Sequence, residues 1–271
     1  MLNRVAGILK RRGISGAAIM AADRVTRPFG LSLISFTRLG AVPPLPETAA
    51  SRSKFDEIAT GNLWGSSESL SGAGSEVART ERYRESLVRF IRDRDFRSMF
   101  DAPCGDLNWM HLALERMDLE YVGGDISPAL VAMNRERFPN LKFIEFDITS
   151  DPFPAVDVWH CRDCLFHLSY EDVDRALRNF AESDIPYALI TNHRGLIRNV
   201  DIETGGWRYI DLRRAPFNLP APEAMLDDFA AGDLPRYVGL WTREQIERTL
   251  SGDRQTDRAL EAEGQSQKPL P

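Results

Sequence analysis

Past residue 95, short runs of consecutive apolar residues alternate with longer stretches in which apolar positions recur every three or four residues. A continuous apolar run of about four to eight residues suits a strand buried on both faces, and the longer period suits an amphipathic helix. The runs FRSMFD, EYVGGD, LKFIEFD, AVDVWHC and IPYALITN therefore predict strands. NWMHLALERM, SPALVAMNRERF and YEDVDRALRNFAES predict the helices between them. VARTERYRESLVRFIRDR predicts a helix ahead of them, with Val77, Tyr83, Leu87, Phe90 and Ile91 as its apolar positions. Strands alternating with helices in this way make an α/β fold, a parallel sheet covered by helices on both faces. WRYIDL (Trp207–Leu212) and YVGLW (Tyr237–Trp241) read as two later strands, and TREQIERTL as a closing helix capped by Thr242.

The ends of the chain lack this rhythm. AVPPLPETAASRS (Ala41–Ser53) is rich in proline, alanine and serine and reads as a linker. This divides the chain into an extension and linker over 1–53, a domain over 54–251 and a polar, disordered tail over 252–271. The extension is basic. Residues 1–50 hold Arg4, Lys10, Arg11, Arg12, Arg24, Arg27 and Arg38 against Asp23 and Glu47, in a chain of net charge −6. Leu2, Val5, Ile8 and Leu9 share one helical face among those charges. Three readings stay open: an interfacial helix making weak contact with an anionic membrane surface, a secretory leader, and a solvated or self-packing extension.

Overall acidity argues against nucleic acid as a partner. No apolar run reaches the length of a membrane-spanning helix. Three cysteines, Cys104, Cys161 and Cys164, are too few for a disulfide framework and fit a reducing cytoplasm.

The stretch SMFDAPCGDLNWM (Ser98–Met110) carries the first chemistry. It is a strand-to-helix turn, where α/β sheets bind ligands. A pyrophosphate cradle needs several glycines and a free helix N-terminus, whereas this turn has one glycine, a proline without an N–H, and two aspartates. Other strand ends are acidic as well, at Asp125 and Asp147. Carboxylates suit a cation with hydroxyls and no phosphate, and S-adenosylmethionine has a sulfonium, an ammonium and two ribose hydroxyls. Asp125, 24 residues after Asp101, is placed to take the ribose hydroxyls. Gly105 lets the backbone approach the ligand and Pro103 stiffens the turn.

With DAPCGD, YVGGDIS, EFDIT and DVWHCRDCLFHLS in this order, the chain resembles the class I S-adenosylmethionine-dependent methyltransferases over roughly Phe55 to Leu250. NLWGSSESLSGAGS, DAPCGDLNWM, CRDCLFHLS and TGGWR narrow the likeness to a subgroup with no assigned substrate. Pro103 and Leu107 depart from the family, where glycines are common. The resemblance implies a doubly wound, mostly parallel seven-stranded sheet of Rossmann-like methyltransferase type, with YVGLW as a final antiparallel strand. It also implies S-adenosyl-L-methionine as cofactor. Its donor site would be formed by Asp101, Pro103, Gly105, Trp109, Asp125, Ile126, Asp147, Ile148, Cys161 and Arg162. Asp147 would take the adenine amine and Ile148 its ring. Trp64, Ser71, Gly72 and Ser75, in or beside a glycine- and serine-rich segment, would form a lid over the donor.

His167 follows the fourth strand by about one helical turn, where a neutral imidazole could collect a proton from the acceptor. Asp163 could orient it or contact substrate. Asn192, His193, Trp207 and Arg208 are expected around a small-molecule acceptor, and the tryptophan and arginine suggest a polar ring such as a sugar or lipid-linked saccharide. Methyl would pass to an oxygen or nitrogen. Rival readings are a nicotinamide oxidoreductase, which lacks its glycine fingerprint here, a non-catalytic donor-binding scaffold, and a metal or redox site at His160, Cys161, Cys164 and His167. No metal is expected, because His160 and Cys161 point to opposite faces of a strand.

Overall fold

The computed structural model of the chain describes residues 51–228 and 235–252. The basic extension and the polar tail lie outside the described residues. Helix α1 (Ser51–Thr60) comes first, inside the end of the stretch read as linker, and then α2 (Val77–Asp93). There follow β1 (Ser98–Asp101), α3 (Met110–Leu114), β2 (Glu120–Asp125), α4 (Pro128–Arg137), β3 (Lys142–Glu145), β4 (Val158–Cys161), α5 (Tyr170–Ala181) and β5 (Tyr187–His193). Strands β6 (Ala224–Asp227) and β7 (Arg236–Thr242) and helix α6 (243–252) complete the domain.

The seven strands form one sheet in the order β3-β2-β1-β4-β5-β7-β6. Neighbours from β3 to β5 are parallel; β7 runs antiparallel to both β5 and β6. This is the Rossmann-like methyltransferase architecture. Strand order reverses between β1 and β4, which places a crevice at their carboxyl ends.

Consecutive strand residues are buried on opposite faces, which explains the unbroken apolar runs. Met99, Val158 and Leu189 pack with Tyr83, Leu87 and Ile91 of α2. Phe100, Trp159 and Ile190 pack with Val173, Leu177 and Phe180 of α5 and with Ile246 and Leu250 of α6. Helix starts follow their caps. Ser127 accepts from Leu130 N ahead of Pro128, and Ser169 accepts from Asp172 N with Glu171 and Asp172 in the first turn of α5.

One expected strand is absent. Trp207–Leu212 forms no ladder, although Ile210 and Leu212 are buried. Side chains take the place of a strand partner: Asn199 Oδ1 accepts from Asp211 N at 2.8 Å and Asn192 Oδ1 from Leu212 N at 2.6 Å. The sixth strand is instead AMLD, a four-residue edge strand with Leu226 buried and Met225 exposed, too short to show a period.

Candidate active site

The carboxyl ends of β1, β2 and β4 enclose a cavity lined by Asp101, Pro103, Gly105, Trp109, Asp125, Ile126, Asp147, Ile148 and Arg162. Helix α1 roofs it with Phe55 and Ala59, and Trp64 and Ser71 close the segment that follows. The roof is anchored where Asp56 Oδ1 accepts from the Ser127 hydroxyl at the start of α4.

Each acid in this cavity has a distinct setting. Asp125 is buried and accepts from Gly105 N at 2.9 Å and Ser127 N at 3.0 Å. Burial pushes its carboxyl up to about 6, despite those two N–H groups. Asp101 accepts from Tyr121 Oη at 2.8 Å and is paired with His160 Nδ1 at 2.6 Å, while His160 Nε2 meets Tyr83 Oη at 2.9 Å. Asp147 accepts from Thr149 N and Oγ1 with the same oxygen, at 2.9 and 2.6 Å.

Asp106 holds the roof segment rather than any ligand. Its carboxylate accepts from Ser69 Oγ at 2.9 Å, Leu70 N at 2.8 Å and Ser71 Oγ at 3.1 Å. This also explains the single glycine of the turn. Gly105 sits at φ 57°, and a Cβ there would lie 2.1 Å from Ser71 Oγ. The close approach is by the chain's own Ser71, so the glycine makes room for the roof. Gly105→Ala combines left-handed strain with displacement of Ser71. The expected result is a loss of about 2 kcal/mol of stability by urea titration, with donor affinity at least about tenfold weaker by calorimetry.

A second cavity, of about 270 Å3, adjoins the first. Gly72, Phe166, His193, Trp207, Tyr209 and Arg236 line it. Trp64, Ser71, Asp163 and His167 line both cavities and form the boundary between them. Asp163 lies at φ 55°, a costly conformation for a residue with a side chain. It pairs with Arg236 at 3.0 Å and Arg162 at 3.3 Å, and Asp228 pairs with the same two arginines at 3.1 and 3.0 Å. Burial raises the Asp163 carboxyl, but Arg162 and Arg236 outweigh it and hold the group at about 2. Asp163 is thus a charged anchor in a balanced network of two acids and two arginines.

His167 belongs to a short 3-10 turn, Leu165–His167, fixed by the TGGWR loop. Gly205 N donates to the His167 carbonyl at 2.8 Å, and Arg208 N donates to Phe166 O at 3.1 Å. The ring Nδ1 lies 2.8 Å from Gly206 O, so Nδ1 carries the proton and Nε2 presents a lone pair. Burial lowers the imidazole to about 4, against the pull of that carbonyl, which keeps it neutral near pH 7.

His193 is buried more fully, and burial followed by Arg236 holds it at about 3. Its folded value lies below the unfolded one of 6.5, so the unfolded chain takes up the proton first. The stability it contributes is whole above pH 6.5 and is lost progressively as pH falls toward 3, at roughly 1.4 kcal/mol per pH unit. Urea midpoints should fall between pH 6.5 and 4.5, and His193→Gln should flatten that slope. An unchanged slope in the variant would contradict the buried neutral ring.

Three residues expected at the site lie elsewhere. Cys161 is fully buried in the core on the α5 side and lines neither cavity; Cys164, three residues on, lines the first. Asn192 turns inward, donating to Asp211 Oδ1 at 3.0 Å and Tyr237 Oη at 2.9 Å. Arg208 donates to Leu168 O and lies over the Tyr170 ring, so it braces the loop behind His167. Gly72 borders the second cavity instead of the first. Conversely, Phe55 and Ala59 line the first cavity outside every motif, and Cys104, Phe146 and His160 line it from within DAPCGD, EFDIT and DVWHCRDCLFHLS, though the resemblance does not assign them to the donor.

Residues 99–183 match the family model described as a methyltransferase domain. The match spans β1 through α5, which supply most of the first cavity's lining. Among solved structures, magnesium protoporphyrin IX methyltransferase from Synechocystis PCC 6803, with bound SAM, aligns over 73% of this chain and 100% of its own, at 10% identity and a TM-score of 0.53. The 1,6-didemethyltoxoflavin-N1-methyltransferase of Burkholderia thailandensis aligns over 74% and 94%, at 14% identity and a TM-score of 0.47. A TehB-like SAM-dependent methyltransferase from Corynebacterium glutamicum aligns over 58% and 86%, at 21% identity and a TM-score of 0.42. No curated protein matches the chain. Among the described residues, no helix is long and apolar enough to cross a membrane.

Proposed function

We propose that the first cavity seats the methyl donor and the second a small-molecule acceptor, with methyl passing to an acceptor oxygen or nitrogen across the boundary at Trp64, Ser71, Asp163 and His167. The adjoining of the two cavities at those four residues carries this reading. The cavity rich in carboxylates suits a cation. Asp125 would take both ribose hydroxyls, and Ile126 and Ile148 would pack on the adenine, whose amine would face Asp147 Oδ2. Asp101 would hold the donor ammonium, oriented by Tyr121 and His160. Arg162, Ser71 and Trp64 would face the methionine end, with Pro103, Gly105 and Trp109 as its wall.

The donor already carries its leaving group, so the protein has to align the nucleophile and exclude water. The acceptor heteroatom attacks the methyl carbon, the carbon–sulfur bond breaks toward sulfur, and a neutral thioether leaves. An acceptor hydroxyl would give its proton to His167 Nε2. The aromatic walls of the second cavity suit a ring-shaped acceptor, whether a sugar or a flat ring. Free cysteines suit a reducing cytoplasm, and the basic extension suits contact with an anionic membrane surface.

Calorimetric titration with S-adenosylmethionine and its demethylated product tests the donor site directly. Micromolar binding of both is expected. Folded protein that binds neither at millimolar concentration would remove the basis of the reading.

A further inference from the structure

The second cavity has an unusual wall. Trp64 stacks on His167 at 5.0 Å between ring centroids, and His167 meets Phe166 at 4.5 Å. Phe166 meets His193 at 5.4 Å, His193 meets Tyr209 at 5.0 Å, and Tyr209 meets Trp207 at 4.6 Å. Six rings therefore run in an unbroken chain around one space.

The polar groups there are largely occupied by one another. Asp163 and Arg236 form an ion pair, and Ser71 bonds to Asp106. The carbonyls of Gly72, Ala73 and Gly74 accept from Ser75 N, Glu76 N and Arg162. His167 Nδ1 is held by Gly206 O, which leaves Nε2 as an acceptor turned toward no protein donor among the described residues.

We infer that the acceptor is a flat hydroxyaromatic molecule of one or two rings, lying against the chain of aromatic side chains with its hydroxyl directed at His167 Nε2. This rests on the two-cavity reading above and narrows it. A pyranose carries several hydroxyls that need both donors and acceptors, and each one buried without a partner forfeits the bonds it makes to water. A hydroxyaromatic needs one such partner and gains from edge and face contacts with the rings. The charges point away from a cation too: Asp163, the one acid of this wall, is paired with Arg162 and Arg236, Arg79 adds a second arginine to the lining, and both histidines are neutral, so no unpaired carboxylate remains to hold a cationic acceptor. In the transfer, the hydroxyl oxygen bonds to the methyl carbon, the carbon–sulfur bond breaks toward sulfur, and the hydroxyl proton passes to Nε2 and then to water.

Methyl transfer from tritiated S-adenosylmethionine would be measured with catechol, 7-hydroxycoumarin and 8-hydroxyquinoline, and with the methyl pyranosides of glucose, mannose and rhamnose. Binding of the demethylated donor would be measured alongside by calorimetry. At least one hydroxyaromatic should be methylated with kcat/KM about tenfold or more above any pyranoside. Trp207→Ala should raise its KM about tenfold while leaving donor affinity as it is. Transfer to pyranosides alone, or donor binding with no transfer to either class, would overturn the inference while the donor site stands. Loss of donor binding in folded wild-type protein would overturn both.

Discussion

Replacing Asp125 with asparagine is expected to cost about a hundredfold or more in donor affinity and, at the same time, to make the empty protein harder to unfold. Two ribose hydroxyls donating to one buried carboxylate are charge-assisted bonds, each contributing about 1.5–3 kcal/mol. An amide keeps one acceptor oxygen and loses the charge, so about 3 kcal/mol should go. The stability gain comes from the empty site. The Asp125 carboxyl is raised by burial to about 6, above its unfolded value of 3.8. A raised acid destabilises the fold wherever it is ionised, here above about pH 6, by about 3 kcal/mol. Asparagine removes that penalty but gives up one of the bonds from Gly105 N and Ser127 N, leaving a net gain of about 1–2 kcal/mol. Thermal melts at pH 7.5 without ligand should therefore shift upward, and added donor should raise the wild-type midpoint but not the variant's. A variant that melts lower and binds as before would show that Asp125 is a structural acid.

The same group gives the wild type a pH dependence. Below about pH 6 the empty site is protonated and must lose its proton to accept both hydroxyls. Donor affinity should fall by up to about tenfold per pH unit there and stay flat above pH 7. On the two-cavity reading, the donor site would be strained while empty and relieved when filled.

The sequence made the sheet legible because strands buried on both faces leave runs such as ALITN with no polar interruption, and because Ser127 and Ser169 mark helix starts. Asp125 could be read because it ends a strand after a short helical crossover. The errors share one cause. In extended backbone, neighbours point to opposite sides. His193 lines the second cavity, so Asn192 turns into the core; Trp207 lines it, so Arg208 turns away. His160 and Arg162 face the first cavity, so Cys161, between them, faces the other side of the sheet. Alternation alone would have removed Cys161, Asn192 and Arg208 from the site. The roof residues Phe55 and Ala59 had no such signal. Their place depends on α1 folding back to meet Ser127, a contact across 71 residues.

Replacing His167 with asparagine should reduce kcat by about a hundred- to a thousandfold while changing donor affinity less than about threefold. Asparagine can still donate its amide N–H to Gly206 O, so the TGGWR loop keeps its anchor while the Nε2 lone pair is lost. A base held at about 4 is weak against a hydroxyl in its ground state. It becomes adequate during the reaction, because an oxygen that is bonding to a methyl cation grows strongly acidic and releases its proton downhill to Nε2. Keeping the ring neutral therefore matters more than making it basic. This gives the wild type a two-part pH profile. kcat/KM for the donor should fall below about pH 6 with Asp125, whereas kcat at saturating donor should persist until His167 is protonated near pH 4. Initial rates with the best wild-type acceptor, measured from pH 3.5 to 8.5 on both proteins, separate the two limbs. If kcat in the variant stays within about fivefold of wild type, the acceptor oxygen reaches the site already ionised, and His167 serves to shape the boundary between the cavities. If kcat at saturating donor instead falls between pH 7 and 6, the ring is solvated during turnover, and the closed boundary at Trp64 and His167 must open in each cycle.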